Sequence, residues 1–276
     1  IGFSDLQAMM KKINTLYKSK GQVTARAILP PQKIENGTVH VALIEGKLGA
    51  VAVKGSARTA EAFFTSRIVT TYTTEALTLL AEGVPPQLID NVAVNAGMPL
   101  GPCALADLTT LTLLADIVAS MRGDGTRPSW GGIRAEDALA RLLAAGRTGK
   151  AAGTGIYDYD EAGRRPWSGL PALFPAASAV PAPETIRRRL FNVQSLEAVR
   201  CIEDGVLASP GDGDVGSVMG WGYPAHLGGV LSYVDTVGSR ALADQCNELA
   251  DAYGARFAPP AMLAGMAARD ARFHAV

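Results

Sequence analysis

Apolar residues recur at helical spacing over most of this chain. In residues 60–82, Phe64, Ile68, Tyr72, Ala76, Leu79 and Leu80 share one stripe, which predicts a long helix. Gly83 fits the left-handed position just past its end, where a side chain costs energy. Pro85-Pro86 opens a second helix carrying Leu88, Ile89, Val92 and Val94. Residues 104–121 read as one apolar helix, 122–132 as a loop, and 135–145 as a short amphipathic helix. Further on, the spacing predicts a helix over 184–204, a loop holding Asp212 and Asp214, a turn over 221–229, a helix over 230–253, and a last helix from about 259. At the front, Ser4-Asp5-Leu6-Gln7 forms a capping box. The helix behind it buries Leu6, Met9, Met10, Ile13, Leu16 and Tyr17, turns Lys11, Lys12, Lys18 and Lys20 outward, and stops at Gly21. Convincing strand patterning is confined to residues 38–44 and 48–53, which read as a hairpin around Gly46.

One helical module occurs twice. Residues 64–84 and 186–206 align without a gap at an offset of 122, pairing Arg67 with Arg189, Glu75 with Glu197, Glu82 with Asp204, Gly83 with Gly205 and Val84 with Val206. Each copy then runs into a Gly/Pro-rich turn, residues 97–102 and 220–224. Two copies of so long a unit do not make a solenoid. They read as a duplicated domain whose halves pack as a symmetric dimer does, within one chain. The prolines at 166, 171, 175, 181 and 183 mark the linker between the halves. The expected organisation is an N-terminal α/β segment over 1–59, a first helical domain over 60–160, a linker over 161–183 and a second helical repeat over 184–276.

Composition narrows the partners. Of the 276 residues, 48% are hydrophobic and 19% charged, which suits a compact soluble protein with a sizeable core. Lys plus Arg equals Asp plus Glu, so no basic surface for nucleic acid is expected. No apolar run reaches the roughly 20 residues of a membrane helix. Cys103, Cys201 and Cys246 are too few and too scattered for a disulfide framework or a zinc site, and read as buried hydrophobes in a reducing cytoplasm. The chain starts at Ile1 with no signal-type segment, which reads as a piece of something longer.

Catalytic signatures are missing. There is no nucleophile elbow, zincin helix or Walker phosphate loop, and His40, His226 and His274 stand in unrelated contexts that suggest no metal site. Asp212 and Asp214 begin like a calcium loop, but the distal Glu is absent, so a turn leading into a helix is expected. Residues 146–155 look like a nucleotide loop, yet Tyr157, Tyr159 and the proline segment follow where a long helix should begin. Close packing against the helices is the expectation there, with Arg147 and Lys150 left as candidates for an anionic ligand.

Several ordered motifs resemble the C-terminal helical domain of the 3-hydroxyacyl-CoA dehydrogenases. They are Phe63-Phe64-Thr65-Ser66-Arg67, Glu75-Ala76-Leu77, Glu82-Gly83-Val84, Ile89-Asp90, Ala96-Gly97-Met98-Pro99, Gly101-Pro102 and Leu105-Ala106-Asp107. Arg188-Arg189-Leu190, Glu197-Ala198, Glu203-Asp204-Gly205-Val206, Asp214-Val215-Gly216, the 220–224 turn, Gly228-Gly229 and Tyr233-Val234-Asp235 resemble the further helical repeat of the multifunctional β-oxidation enzymes. Residues 146–159 resemble the Gly-rich segment those enzymes carry between the repeats. The resemblance covers about residues 60–274 and implies a mainly α fold, two tandem pseudo-symmetric helical domains similar to the C-terminal fold of 6-phosphogluconate dehydrogenase, beside a small α/β segment.

The resemblance implies hydride transfer between NAD and the 3-hydroxy carbon of an acyl-CoA. The family's catalytic His–Glu pair and NAD loop belong to a preceding nucleotide-binding domain that this sequence does not show. At best residues 46–53 resemble its last strand, and residues 1–45 match no motif. This chain alone is therefore expected to be inactive. Ser66 stands where short family members carry an Asn that approaches the substrate carbonyl, and it is either a catalytic assistant or a helix residue bonding its own backbone. Phe63, Phe64, Arg67, Met98 and Pro99 are the implied substrate-binding residues, Glu75 and Glu197 implied ion-pair partners for Arg. The implied partners are an acyl-CoA, the nucleotide domain and a second copy in a homo-oligomer. The alternative function is a non-catalytic helical scaffold descended from the family.

Overall fold

The computed structural model describes residues 12, 15, 26–28, 42–44, 64–121 and 132–274. The chain divides into two compact units, residues 1–56 and 57–276. In the first unit Lys12 and Thr15 are helical and exposed, within the helix that the 6–17 spacing predicts. The Ser4 capping box and the rest of that helix lie outside the described residues. Strand β1 (Arg26–Ile28) pairs antiparallel with β2 (Ala42–Ile44), with Ala27 opposite Leu43. β2 falls inside the expected 38–44 strand and pairs with β1; the expected hairpin partner, residues 48–53, lies outside the described residues. Arg26-Ala27-Ile28 has too little alternation to announce itself as a strand.

The second unit is mainly helical. Its first half comprises α1 (Phe64–Ala81), α2 (Pro86–Asn95), α3 (Pro102–Thr109), α4 (Leu111–Met121) and α5 (Gly132–Ala144). Hairpin β3 (Tyr157–Asp160) and β4 (Gly163–Pro166) and the single turn α6 (Leu170–Leu173) follow. The second half comprises α7 (Pro183–Glu203), α8 (Pro210–Trp221), α9 (Ser232–Val237), α10 (Ser239–Tyr253) and α11 (Ala261–Arg269). Among the described residues no single helix is long and apolar enough to cross a membrane.

α1 and α7 form the centre and run antiparallel, since Arg67 near the start of α1 meets Asp204 beyond the end of α7, and Arg189 near the start of α7 meets Glu82 beyond the end of α1. From Ile68 onward the predicted stripe of α1 is buried, but so is its other face, because α5 and α7 cover it from different sides. Thr70, Thr71, Thr73, Thr74 and Thr78 occupy that face. Hydroxyls of Thr71, Thr73, Thr74 and Thr78 donate to carbonyls three or four residues back, so these polar groups enter the core satisfied. Gly83 takes φ +85° and Gly205 +69°, as expected just past the two central helices.

Three expectations are corrected. The apolar run 104–121 is two helices, not one. It breaks at Thr110, at φ 70° and ψ 135°, and the axes turn by 94°. The Leu111 N–H donates to the Thr148 carbonyl at 2.9 Å, a bond from outside the helix that diverts the backbone, while the Thr110 hydroxyl accepts from the Leu113 N–H. Residues 230–253 likewise split, at Gly238. The expected loop around Asp212 and Asp214 is helix α8, with Ser209 as N-cap accepting from the Asp212 N–H and Pro210 in the first turn. Its glycines provide close approach rather than a loop: a Cβ on Gly213 would lie 2.9 Å from Leu231, and one on Gly216 3.3 Å from Phe64.

The proline segment 161–183 does not separate two bodies, because residues 57–276 form one compact unit. Hairpin β3–β4 opens it, a strand pairing that the sequence pattern did not suggest. Leu170 and Phe174 are buried, Arg141 donates to the Leu173 carbonyl, and the Ala177 N–H donates to the Gly83 carbonyl.

Candidate functional site

Four buried side chains join the two halves. Arg67 Nε donates to Glu197 Oε1 at 2.6 Å and Nη1 to Asp204 at 2.8 Å. Reciprocally, Arg189 Nε donates to Glu75 Oε1 at 2.6 Å and Nη1 to Glu82 at 2.6 Å. Arg67, Glu75, Arg189 and Glu197 are all at most 1% exposed. A buried charge is tolerated only when paired and hydrogen-bonded, and the bidentate guanidinium supplies both. Arg256 adds to Glu75 and Arg200 to Glu197, so each carboxylate meets two guanidinium groups. The repeat thus places each Arg opposite the other copy's Glu, as an isologous dimer interface does. Arg67, expected to bind substrate, is instead sealed into this seam.

The Gly/Pro turns meet by the same symmetry. A Cβ on Gly97 would lie 3.0 Å from Pro224, and one on Gly222 would lie 2.6 Å from Pro99. Met98 is buried and Pro99 exposed. Of these substrate-binding candidates, Pro99 therefore lies at the contact between the two turns.

In each half two aspartates clasp the chain. Asp90 accepts from the N–H groups of Cys103 at 2.8 Å and Ala104 at 3.2 Å and from the Tyr157 hydroxyl at 2.9 Å. Asp107 accepts from the N–H groups of Ile156 and Tyr157 and from the Tyr159 hydroxyl. In the second half Asp214 accepts from the N–H groups of Leu231 and Ser232 and meets His274 Nε2 at 2.8 Å, and Asp235 accepts from the N–H groups of Phe273 and His274. Burial pushes the carboxyls of Asp90 and Asp107 above their ordinary pKa despite these donors. It also pushes the Tyr157 and Tyr159 phenols up, so both remain protonated donors. The Gly-rich segment serves this clasp: a Cβ on Gly155 would fall 2.1 Å from the Asp107 carboxylate. Arg147 is spent on the same region, donating to the Gly155 and Tyr157 carbonyls and stacking over Trp167 at 4.6 Å. Lys150 lies over the Tyr159 ring.

The surface with an open side is the start of α1. Phe64 and Ser66 are half-buried in its first turn, and Phe63 lies outside the described residues. The Phe64 ring packs on Trp221 with centroids 5.6 Å apart. Gly216 and Gly220, four residues apart and so on one face, bring α8 against Phe64 and Thr65. Beside them Val215 is 66% and Met219 81% exposed. The second repeat thus contributes an exposed apolar shelf on α8, Val215 and Met219, that the sequence reading missed. The signal available was the Gly216/Gly220 spacing, hidden by reading the segment as a loop.

Residues 63–159 match the family model described as 3-hydroxyacyl-CoA dehydrogenase, C-terminal domain. A separate match, to the ShlB-type POTRA domain, takes residues 1–46. Among curated relatives, the fatty acid oxidation complex subunit alpha of Shewanella loihica is 33% identical over 92% of this chain, and that of Shewanella sp. strain ANA-3 is 34% identical over 91%. These alignments reach into the stretch that the POTRA match covers. The chain spans only 35% of the length of these relatives. The crystal structure of 3-hydroxybutyryl-CoA dehydrogenase from Escherichia coli K12 superposes with a TM-score of 0.56 at 19% identity, covering 74% of this chain and 59% of that one, which is a likeness of fold. The match to the 3-hydroxyacyl-CoA dehydrogenase C-terminal domain thus falls on the first helical half, and the helices of the second half follow it within the same compact unit.

Proposed function

We propose that this chain is the substrate-binding and assembly part of an NAD-dependent (S)-3-hydroxyacyl-CoA dehydrogenase of fatty-acid β-oxidation, which interconverts 3-hydroxyacyl-CoA and 3-oxoacyl-CoA in the cytoplasm. The observation that carries this reading is the exposed apolar shelf of Val215 and Met219 on α8, the helix that packs on Phe64 and Thr65 at the start of α1, on a helical domain of that family. NAD supplies the hydride chemistry and is held by a nucleotide-binding domain that partners this chain. Ser66 donates one hydrogen bond toward the substrate carbonyl, and the shelf lines one wall for the acyl group. The seam of Arg67, Glu75, Arg189 and Glu197 is assembly machinery, holding α8 where it can form that wall.

The test has two parts. This chain alone, mixed with NADH and acetoacetyl-CoA, is expected to leave NADH unoxidised while binding acetoacetyl-CoA by calorimetry. Ser66→Ala in the complete enzyme is expected to lower kcat about 100-fold with little change in KM, the loss typical of a donor that acts at the transition state. Absence of acyl-CoA binding would favour a helical scaffold, and unchanged kinetics would leave Ser66 as a helix residue only.

A further inference from the structure

A second concavity lies at the other end of α1. Leu80 to Ser66 is fourteen residues, about 21 Å along a helix, so this pocket is separate from the α1 surface of the proposed function and does not rest on that reading. Its volume is about 320 Å³. Leu80, Val84, Leu170 and Phe174 line it and are buried, which makes them its floor. The polar side chains in the lining, Gln87 and Ser168, are exposed and so lie toward solvent. Among the described residues no charged side chain lines it.

The walls are preformed. Pro85, Pro86, Pro166 and Pro171 have fixed φ and little freedom to collapse inward. Trp167 is held under the Arg147 guanidinium. The segment carrying these walls is tied down by the Ala177 N–H to Gly83 carbonyl bond at 3.2 Å and the Arg141 to Leu173 carbonyl bond. Among the described residues the second repeat has no such wall. A Cβ on Gly83 would fall 2.3 Å from the Pro175 carbonyl, whereas one on Gly205 at the matching position meets nothing within 4 Å. The duplication therefore does not account for this pocket.

The chemistry selects its occupant. An apolar floor rewards hydrocarbon. A carboxylate or phosphate placed among these groups would be desolvated without a countercharge. A neutral hydroxyl or amide finds partners in Gln87 and Ser168. Since a cavity of about 150 Å³ holds one benzene, this volume takes a chain of roughly eight to ten carbons. We infer that the pocket between the α1–α2 turn and the Trp167–Phe174 segment binds a neutral amphipathic molecule, its medium-length hydrocarbon tail inward and an uncharged polar head at Gln87 and Ser168.

The test is saturation-transfer NMR on the full chain with 1-octanol as probe and octanoate as its charged counterpart. Saturable 1-octanol binding is expected, with octanoate at least tenfold weaker. Ala176→Trp, at an exposed lining position, is expected to cut 1-octanol binding at least fivefold, and Ser168→Trp provides a second plug should the first fail to fold. Ser66→Ala is expected to leave it unchanged. No saturable 1-octanol signal would overturn the pocket. A signal surviving both plugs would overturn its location, equal octanoate binding would overturn the neutral head, and loss of the signal in Ser66→Ala would overturn its separation from the α1 surface.

Discussion

Asp90 shows how a single carboxylate can hold a fold and also work against it. It gathers three hydrogen bonds from residues 13 to 67 positions away, yet burial raises its pKa above the ordinary 3.8. A carboxyl whose folded pKa is raised favours the fold when protonated. Its contribution is complete below 3.8 and is lost as pH rises through the raised value. Asn at the same place does not titrate. The advantage of the wild type over Asp90→Asn in thermal midpoint is therefore expected to be greatest near about pH 4 and to narrow toward about pH 7. Thermal unfolding of both proteins across that range checks this, and a gap that widens with pH would reverse the assignment. Asp107 is pushed up in part by the Asp90 charge, so removing that charge relieves Asp107 as well and narrows the gap in the same direction as pH rises. At this scale the sequence identified residues but not their partners. Asp90 and Asp107 stood inside recognisable motifs, while Tyr157 and the backbone N–H groups they hold lie across tertiary contacts that no local pattern encodes. Arg67 shows the same limit: motif and position suggested substrate, and its carboxylates lie 130 and 137 residues away.

At the scale of elements, periodicity located the long helices because α1 and α7 carry enough apolar positions to declare a period, and glycine located their ends. The misreadings share one cause: glycine and tertiary hydrogen bonds act on the backbone, where apolar spacing is blind. The helix breaks are the clearest case. Thr110 sits at φ 70°, ψ 135° and Gly238 at φ 90°, ψ 132°, so the two repeats make nearly the same break, one with a β-branched residue and one with glycine. A Cβ on Gly238 would meet nothing within 4 Å, so Gly238→Ala probes backbone strain without a clash. It is expected to destabilise by about 1–3 kcal/mol. Thr110→Gly is expected to stabilise by less than that, because relief of strain is offset by losing the hydroxyl cap on the Leu113 N–H. Denaturant unfolding reads both changes. Equal stability of Gly238→Ala and the wild type would mean that the break relaxes at no cost.

For the helical unit as a whole, the duplication sets how it comes apart. The aligned Arg and Glu positions were visible in the sequence, and so was a dimer-like packing; the crossing of each Arg to the opposite copy's Glu depends on α1 and α7 running antiparallel, which only the fold shows. With that crossing, neither half keeps its charges paired alone. Separating the repeats would strand Arg67 and Arg189 from Glu197 and Glu75, and removing one partner of a buried pair typically costs about 3–5 kcal/mol. The two halves are therefore expected to open together. Glu197→Gln removes a charge from α7, and hydrogen exchange offers a readout that locates the response. If residues 57–276 are one cooperative unit, the most protected amides of α1 and α7 should lose the same opening free energy in this variant, about 3 kcal/mol or more, although the substitution lies in the second repeat alone. Loss confined to α7, with α1 protection unchanged, would mean that the repeats unfold as separate bodies and that the seam is a contact between domains rather than the core of one.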